Sequence, residues 1–531
     1  MDFFEFKNIN ASEIFVRQIK SPFVYLLLVV AIISILIGQF VDSIAVLAFV
    51  FIIIIIVGFF REYRIRRATA ILQKLIPQET KVSRDLNNTP YEKSILYFCK
   101  LILRIVTVTI ILIFVANILI KGISNFWEFL LFSVALTVSI LPEALPAVAT
   151  FALSEGSLKM AREKVVVKRL SAIEDLGNIE ILCADETCLK SGATEAIRLA
   201  KKLGVSIKIF TADSKSRLIQ NSNDVVLGSQ LKKMTTEDFD DVCLEKVVFA
   251  RISPDLKHKI IKSLQKKYEV GFAGEGVNDA LALKTADVGI AVVESSDTAR
   301  EAADVVLLQK DLRVIVGGIK NARMIFSNIN KYIKCALASN FGNFYSIAVI
   351  SLFVNFLPML PVQILLAKLL FDLPLISIAT DSADVEELKK PKSYELHNVL
   401  PLIISLALVS TVFDFIFFAI FLRQAPAVIQ TLWFIESILT EILLIFIIRT
   451  RGKFWEAIRP SFWLFFFTII DGIFIVALPF LPFGQQFFHF VTLPILPLLI
   501  VFFLAGCYFA SSEFVKLVYF KYWKPRDSVV S

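Results

Sequence analysis

Long apolar runs alternate with short charged ones along most of this 531-residue chain. The first two runs cover 23–40 and 41–60. Each is close to the ~20 residues that cross a bilayer core. A third covers 97–120. A fourth covers 126–153 and is interrupted by L-P-E-A-L-P at 141–146. Six more follow near 333–355, 359–380, 399–422, 428–448, 460–482 and 490–512. The pattern predicts a polytopic α-helical membrane protein of about ten spans. Residues 12–20 read as a short polar-apolar stretch along the membrane surface.

Residues 155–330 break this pattern. Charges become frequent, and short β-rich runs alternate with helical ones. The expected strands are 179–183, 207–210, 224–227, 247–250, 270–273, 288–292 and 305–308. Helical stretches such as 193–203 and 255–267 lie between them. Such alternation predicts a parallel sheet flanked by helices. One soluble α/β domain is therefore expected between the fourth and fifth spans.

Composition supports the membrane reading. The chain is 56% hydrophobic with 49 Phe, against about 45–50% apolar residues in soluble proteins. The formal net charge of +8 is concentrated in short stretches: R-E-Y-R-I-R-R at 61–67, E-E-L-K-K-P-K at 386–392, R-T-R-G-K at 449–453 and F-K-Y-W-K-P-R at 520–526. Basic residues beside spans mark the cytoplasmic side, and this accounts for the charge without a nucleic-acid partner. With ten spans, both termini and the α/β domain fall on that side. The expected setting is the plasma (cytoplasmic) membrane, crossed many times and surrounded by lipid. Six cysteines with no CxxC pair read as reduced thiols, neither a disulfide set nor a zinc site. The N-terminal M-D-F-F-E-F-K lacks the layout of a removable signal peptide.

The polar residues of the α/β domain gather at the ends of the expected strands. Asp185 ends the first, and Thr187 follows two residues later. Thr211 and Asp213 end the second. S-P-D-L-K at 253–257 opens a helix, and G-E-G-V-N-D-A at 274–280 follows another strand. In open parallel sheets, ligands sit outside the carboxyl ends of the strands. Singly, Asp213 could cap a helix, Lys257 could be a solvated charge and Gly276 a turn residue. As a set they outline a phosphoryl-transfer site. Such a site needs a nucleophilic carboxylate, a Mg²⁺ held by acids, and a cation or hydroxyl on the phosphate. Asp185 fits the nucleophile. Asp185, the Thr187 carbonyl and an acid from Glu275 or Asp279 fit the Mg²⁺. Lys257 and Thr211 fit the phosphoryl oxygens.

The membrane segments carry a second constellation. A carboxylate near mid-bilayer costs about 2.5–3.5 kcal/mol on insertion scales and usually marks an ion site or pathway. Glu143 is such a carboxylate, bracketed by Pro142 and Pro146. Prolines free backbone carbonyls, which then can coordinate a cation. Asn340 and Asn343 lie on adjacent turns of the fifth span, and Asp372 lies within the sixth. These are hard oxygen donors of the kind Mg²⁺ and Ca²⁺ take. Two acids among four side chains suit a divalent ion. Asp414, Glu436 and Glu441 lie in later spans and read equally as ligands or as interior packing.

Together these residues resemble the P-type cation-transporting ATPases. D-E-T-C-L-K-S is similar to the family's D-K-T-G-T-L-T, which puts Asp185 on the phosphorylated aspartate. T-A-D matches its T-G-D and brings in Asp213; G-E-G-V-N-D-A matches G-D-G-V-N-D-A; L-P-E-A-L-P matches the proline motif of the fourth span. The magnesium-transporting branch looks closest, on strings such as K-V-V-V-K-R-L-S-A-I-E-D-L-G-N-I-E-I-L-C, N-I-N-K-Y-I-K-C-A-L-A-S-N-F-G-N, F-L-P-M-L-P, V-F-D and L-W-F-I-E-S. The resemblance implies a haloacid-dehalogenase-like (Rossmann-like) phosphorylation domain, Mg²⁺ as cofactor and a divalent cation as cargo.

Departures from the family are as specific as the matches. The family's actuator domain lies between the second and third spans and carries a T-G-E loop. Here only a short linker fills that gap, and T-G-E occurs nowhere. The family's nucleotide-binding domain follows the phosphorylation motif. Here Glu195 runs straight into A-I-R-L-A-K-K-L-G-V-S-I-K-I-F-T-A-D. The expected organisation is 1–60 with two spans, 61–94 as linker, 95–154 with spans three and four, 155–330 as phosphorylation domain, and 331–531 with six spans and a basic tail. Glu186 stands where the family has Lys, Cys188 where it has Gly, Leu189 where it has Thr, and Glu275 where it has Asp. A misplacement of ~1 Å can cost ~10²-fold in rate. Loss of the adenine pocket removes the ordinary route for ATP. The expectation is a reduced form that does not pump alone. The rival expectations are a pump still phosphorylated on Asp185, a partner or regulator of a complete P-type ATPase, and a passive ion pathway.

Overall fold

A computed structural model describes residues 90–123, 126–140, 144–169, 171–186, 193–211, 224–389 and 396–522, with Leu28, Ala31, Ile32 and Ile35 as isolated helical positions. Apart from those four positions, the expected spans at 23–40 and 41–60, the 61–94 linker up to residue 89, and the basic tail beyond 522 lie outside the described residues.

Helices α1 (Pro90–Lys121), α2 (Phe126–Ile140) and α3 (Ala144–Arg162) lead into strand β1 (Val165–Val167). Then come α4 (Ser171–Asn178), β2 (Ile181–Asp185), α5 (Ala193–Lys202), β3 (Ser206–Thr211), β4 (Val225–Leu227), β5 (Val248–Ala250), α6 (Pro254–Leu264), β6 (Val270–Ala273), β7 (Val288–Val292) and β8 (Val305–Leu307). The strands form one eight-stranded sheet in the order β1-β8-β7-β6-β2-β3-β5-β4. Every neighbouring pair is parallel except β1 with β8. The seven expected strands are all present. Their nearly unbroken apolar character follows from burial on both faces, as in β6 and β7. The eighth, β1, is three valines between basic residues, too short to show a period of two.

Six long helices follow: α7 (Leu312–Phe353), α8 (Pro361–Ser377), α9 (Leu396–Phe421), α10 (Pro426–Ile448), α11 (Phe462–Ala477) and α12 (Ile495–Tyr522). With α1, and with α8 and α11 each extended by a short 3₁₀ turn, seven helices among the described residues are long and apolar enough to cross a membrane. Their outer faces are bare of partners: Leu119 is 79% exposed, Phe462 70% and Phe503 70%. Such contiguous apolar surface belongs in lipid. Their inner faces bury polar groups instead, including Asn340, Asp414, Glu436, Glu441 and Asp471. Gly342 lets α7 and α9 approach closely, since a Cβ there would stand 2.9 Å from Ser410 Cβ.

Helix α7 runs 42 residues without a break and joins the sheet to the membrane bundle. Its Asp311 N-cap accepts from the Arg313 amide at 2.8 Å. Two ionic nodes fix it. The buried Arg323 guanidinium donates from Nε to the Gly177 carbonyl at 2.8 Å, from Nη2 to Ile179 at 2.7 Å, and from Nη1 to Leu388 at 2.8 Å and to Leu203. One side chain thus satisfies carbonyls at the ends of α4, α5 and the segment after α8. Lower down, the fully buried Asp381 accepts from Arg449 Nε at 2.8 Å, Arg449 Nη2 at 3.0 Å, Lys331 at 3.3 Å and the Ser461 amide at 3.2 Å. It ties α7 to the ends of α8 and α10 and to the start of α11.

The amino ends of the central strands gather acids. Burial pushes the Glu269 carboxyl up to about 7, with repulsion from Asp287 and Asp175 adding to it. Burial likewise pushes Asp175 up to about 6, with Arg169 opposing and Asp304 and Asp287 reinforcing. The four cysteines among the described residues whose side chains are placed are free thiols. Burial pushes Cys183 up to about 12 and Cys243 to about 11, so neither is a reactive thiolate near neutral pH.

Two tests follow from these contacts. Arg323→Met strands four buried carbonyls and should lower stability by about 3 kcal/mol or more; a thermal midpoint in detergent equal to the unchanged protein's contradicts the assignment. For Glu269 and Asp175 the folded pKa lies above the ordinary carboxyl value, so the native state holds extra protons. Their contribution is then lost as pH rises from about 4 through about 7. Partial exposure keeps the effect small. The midpoint should fall less between pH 5 and pH 8 in Glu269→Gln than in the unchanged protein.

Candidate functional site

Strand β2 delivers Asp185 to the carboxyl edge of the sheet, and β3, its parallel neighbour, delivers Thr211 to the same edge. Helix α6 begins at Pro254, a residue suited to a first helical turn, and projects Lys257 toward them. The turn after β6 carries Glu275 and Asp279. Gly274 is required there, because a Cβ would lie 2.8 Å from both Asp279 Cβ and the Phe272 ring.

The Lys257 ammonium stands 2.7 Å from Asp185 Oδ2 and 2.8 Å from Asp279 Oδ1. It also lies 5.9 Å from the centre of the Phe272 ring. Burial works against its charge, but hydrogen bonds to Asp185 and Asp279, and their charges, outweigh burial and raise its pKa above the ordinary lysine value. Asp279 Oδ2 accepts from the Gly276 amide at 3.1 Å and the Glu275 amide at 3.2 Å. Asp279 is thus locked by three donors.

Two contacts complete the network. The Thr211 hydroxyl donates to Glu186 Oε2. Lys310, just after β8, pairs with Glu275 at 2.5 Å. Asp185, Lys257 and Asp279 therefore converge, as the sequence pattern expects. Thr211 is at the same edge but engages Glu186, and Glu275 engages Lys310. Thr187 and Asp213 lie outside the described residues. Sequence reasoning passed over the Glu186–Thr211 bond and Lys310. The first has a signal in hindsight, since Thr211 ends β3 and Glu186 follows the end of its neighbour β2.

Mg²⁺ is what haloacid-dehalogenase-like hydrolases and P-type ATPases use. The chemistry of Asp185 and Asp279 suits it, as hard oxygens aimed at one point. The arrangement does not: an ammonium holds that point, and Glu275 is committed to Lys310. Among the described residues no three His, Cys, Asp or Glu side chains are grouped to hold a metal ion.

The membrane cluster lies where α2, α7, α8 and α10 meet. The Asn340 amide donates to the Ile140 carbonyl, at the last residue of α2, at 3.3 Å. That carbonyl adjoins the L-P-E break, whose Glu143 and Pro142 lie outside the described residues. Asn340 Oδ1 accepts from Lys368 at 3.3 Å. Lys368 also stands 3.2 Å from Asp372 Oδ1, one turn along α8. Asn343 turns to α10, donating to Glu441 Oε1 at 2.7 Å and to Ser437 Oγ at 2.9 Å. Ser339 donates to the same Glu441 oxygen. Asn340 and Asp372 thus share a lysine, while Asn343 joins Glu441. Asp414 sits apart, accepting from Ser346 at 2.5 Å and from the Trp433 indole at 2.7 Å. Lys368 is the residue that reading for acids and amides missed. Its signal was a basic residue inside an apolar run whose other charge is Asp372, four residues on.

The sheet, its acid-tipped edge and the buried polar bundle define a parallel-dominated α/β domain joined to helices long and apolar enough to cross a membrane. Residues 77–287 match the family model for haloacid dehalogenase-like hydrolase. Residues 356–518 match the model for the C-terminus of cation transporting ATPases. The chain's homologues are P-type cation-transporting ATPases. It is 34% identical over 324 residues to "Magnesium-transporting ATPase, P-type 1" of Escherichia coli (strain K12), covering 58% of this chain and 36% of that protein. It is 30% identical over 307 residues to "Calcium-transporting ATPase" of Bacillus subtilis (strain 168), covering 56% of this chain and 34% of that protein. The chain thus spans about a third of the length of these relatives.

The two-carboxylate contact of Lys257 is testable. Lys257→Met leaves Asp185 and Asp279 facing each other without a counter-charge. Removing one partner of a largely buried pair costs about 3 kcal/mol. Adding Asp279→Asn should recover part of that loss. If the double variant is less stable than Lys257→Met by the full cost of a second independent lesion, the pairing is not what holds this edge.

Proposed function

We propose that this chain is a reduced P-type ATPase-like membrane protein carrying a divalent-cation pathway of the Mg²⁺ class, and that it does not run a phosphorylation cycle alone. The observation that carries the reading is the self-satisfied edge of the sheet. Lys257 binds Asp185 and Asp279 together, and Glu186 takes the Thr211 hydroxyl. Glu186 brings a negative charge beside the expected nucleophile, which repels an incoming phosphate. The gap in the sequence where a nucleotide domain is expected, and the missing T-G-E loop, support the same reading. Proposed roles for the remaining residues follow. Asp185 keeps the nucleophile position without its reaction. Asn340, Asn343, Asp372 and Glu143 belong to the cation path, now joined by Glu441. The protein sits in the plasma membrane with both termini and the sheet domain cytoplasmic, and works with a second membrane protein such as a complete P-type ATPase.

A second reading has its own support. Asp185, Lys257 and Asp279 do converge, which a pump phosphorylated on Asp185 requires. The deciding experiment incubates the purified full chain with labelled ATP or acetyl phosphate and Mg²⁺. The proposal expects no acid-stable label. Label on the unchanged protein that disappears in Asp185→Asn would falsify it and support a pump phosphorylated on Asp185. Glu186→Lys, which restores the charge the family has there, should raise any labelling from acetyl phosphate by tenfold or more.

A further inference from the structure

We propose that Lys368 is a tethered counter-cation in the membrane cluster, and that it competes with a divalent ion for Asn340 and Asp372. This rests on the divalent-cation pathway proposed above and says what governs its occupancy. Lys368 and Asp372 lie four residues apart on α8, so both project from one face of that helix. The ammonium stands 3.2 Å from Asp372 Oδ1 and 3.3 Å from Asn340 Oδ1. The Asn340 amide is oriented by its other end, which donates to the Ile140 carbonyl. Its oxygen is thereby turned toward the position the ammonium fills.

Asp372 Oδ1 is buried and takes no well-directed hydrogen bond among the described residues. A carboxylate oxygen in that condition has spare capacity for a cation. A divalent ion bound to it and to Asn340 Oδ1 would need oxygens at about 2.0–2.6 Å. At that position it would stand against the ammonium, in a site screened little by solvent. The two cations therefore exclude each other. Lys368 also settles the charge: it neutralises Asp372, so Glu441 is the remaining acid facing Asn343 and Ser339. The Lys368 side chain is 14% exposed, and its flexible four-carbon stem gives the ammonium the rotatable bonds to leave the site. A divalent ion enters by displacing the ammonium, and the ammonium refills the site when the ion leaves.

The test measures Mn²⁺ binding to the purified full chain in detergent, by electron paramagnetic resonance. Asp372→Asn serves as the control that defines membrane-site binding. Lys368→Met should raise the affinity of the Asp372-dependent site at least tenfold. Lys368→Asn, which is smaller and polar, should do the same if the methionine variant fails to fold, as judged by size-exclusion elution and thermal midpoint. Lys368→Arg keeps the charge and should bind like the unchanged protein. Lys368→Met with Asp372→Asn should lose the gain. If the unchanged protein already has an Asp372-dependent site as tight as that of Lys368→Met, the competition is refuted while the pathway stands. If no variant shows Asp372-dependent Mn²⁺ binding, both the competition and the divalent-cation pathway are refuted.

Discussion

The Arg323 guanidinium joins the sheet domain to the helix that enters the bundle. Its four contacts go to backbone carbonyls from three segments distant in sequence, at Gly177 and Ile179, at Leu203, and at Leu388. A planar fork with five N–H groups suits this better than an ammonium would. Because Arg323 lies on α7, these contacts register the sheet domain on the helix that enters the bundle. Asp381 repeats the arrangement in the opposite sense, one carboxylate gathering an arginine, a lysine and a backbone amide. Between the two nodes α7 has little freedom to tilt or rotate.

The same physical theme governs both polar sites. A carboxylate shielded from solvent needs a positive charge, and in each place a lysine supplies it. Lys257 sits between Asp185 and Asp279; Lys368 sits between Asp372 and Asn340. A covalently attached ammonium has a high effective concentration, because its tether removes the entropy cost of recruitment. A free ion must outcompete it. Both sites thus keep oxygen donors around an ammonium of the chain's own.

The soluble site adds a second internal substitute. Glu186 places a carboxylate on the Thr211 hydroxyl. Thr211 ends β3 and Glu186 follows the end of β2, so the contact follows directly from the parallel pairing of β2 with β3. An internal cation on Asp185 and an internal anion on Thr211 satisfy these polar groups from within the chain. In the proposed reading this explains how a phosphorylation-type domain persists without its usual chemistry.

The sequence by itself determined the elements and their order. Apolar runs of membrane length and the sevenfold recurrence of β-rich runs depend only on local composition and period; seven such helices and all seven strands stand among the described residues, while the run at 126–153 is divided between α2 and α3. It also determined which edge of the sheet holds Asp185, Thr211, Lys257 and Asp279, because each ends a strand or opens a helix after one. The partners were a different matter. That Lys257 bridges two acids, that Glu275 goes to Lys310, and that Asn343 prefers Glu441 to Asn340's company all depend on distances between segments far apart in the chain. Lys368 is the clearest case. Read in sequence it is one charge in an apolar helix, and only the approach of α7 and the end of α2 gives it Asn340 as a second oxygen. Spacing along a chain sets which face a side chain occupies, whereas electrostatic pairing is set by which other faces come within about 4 Å, and tertiary packing alone decides that.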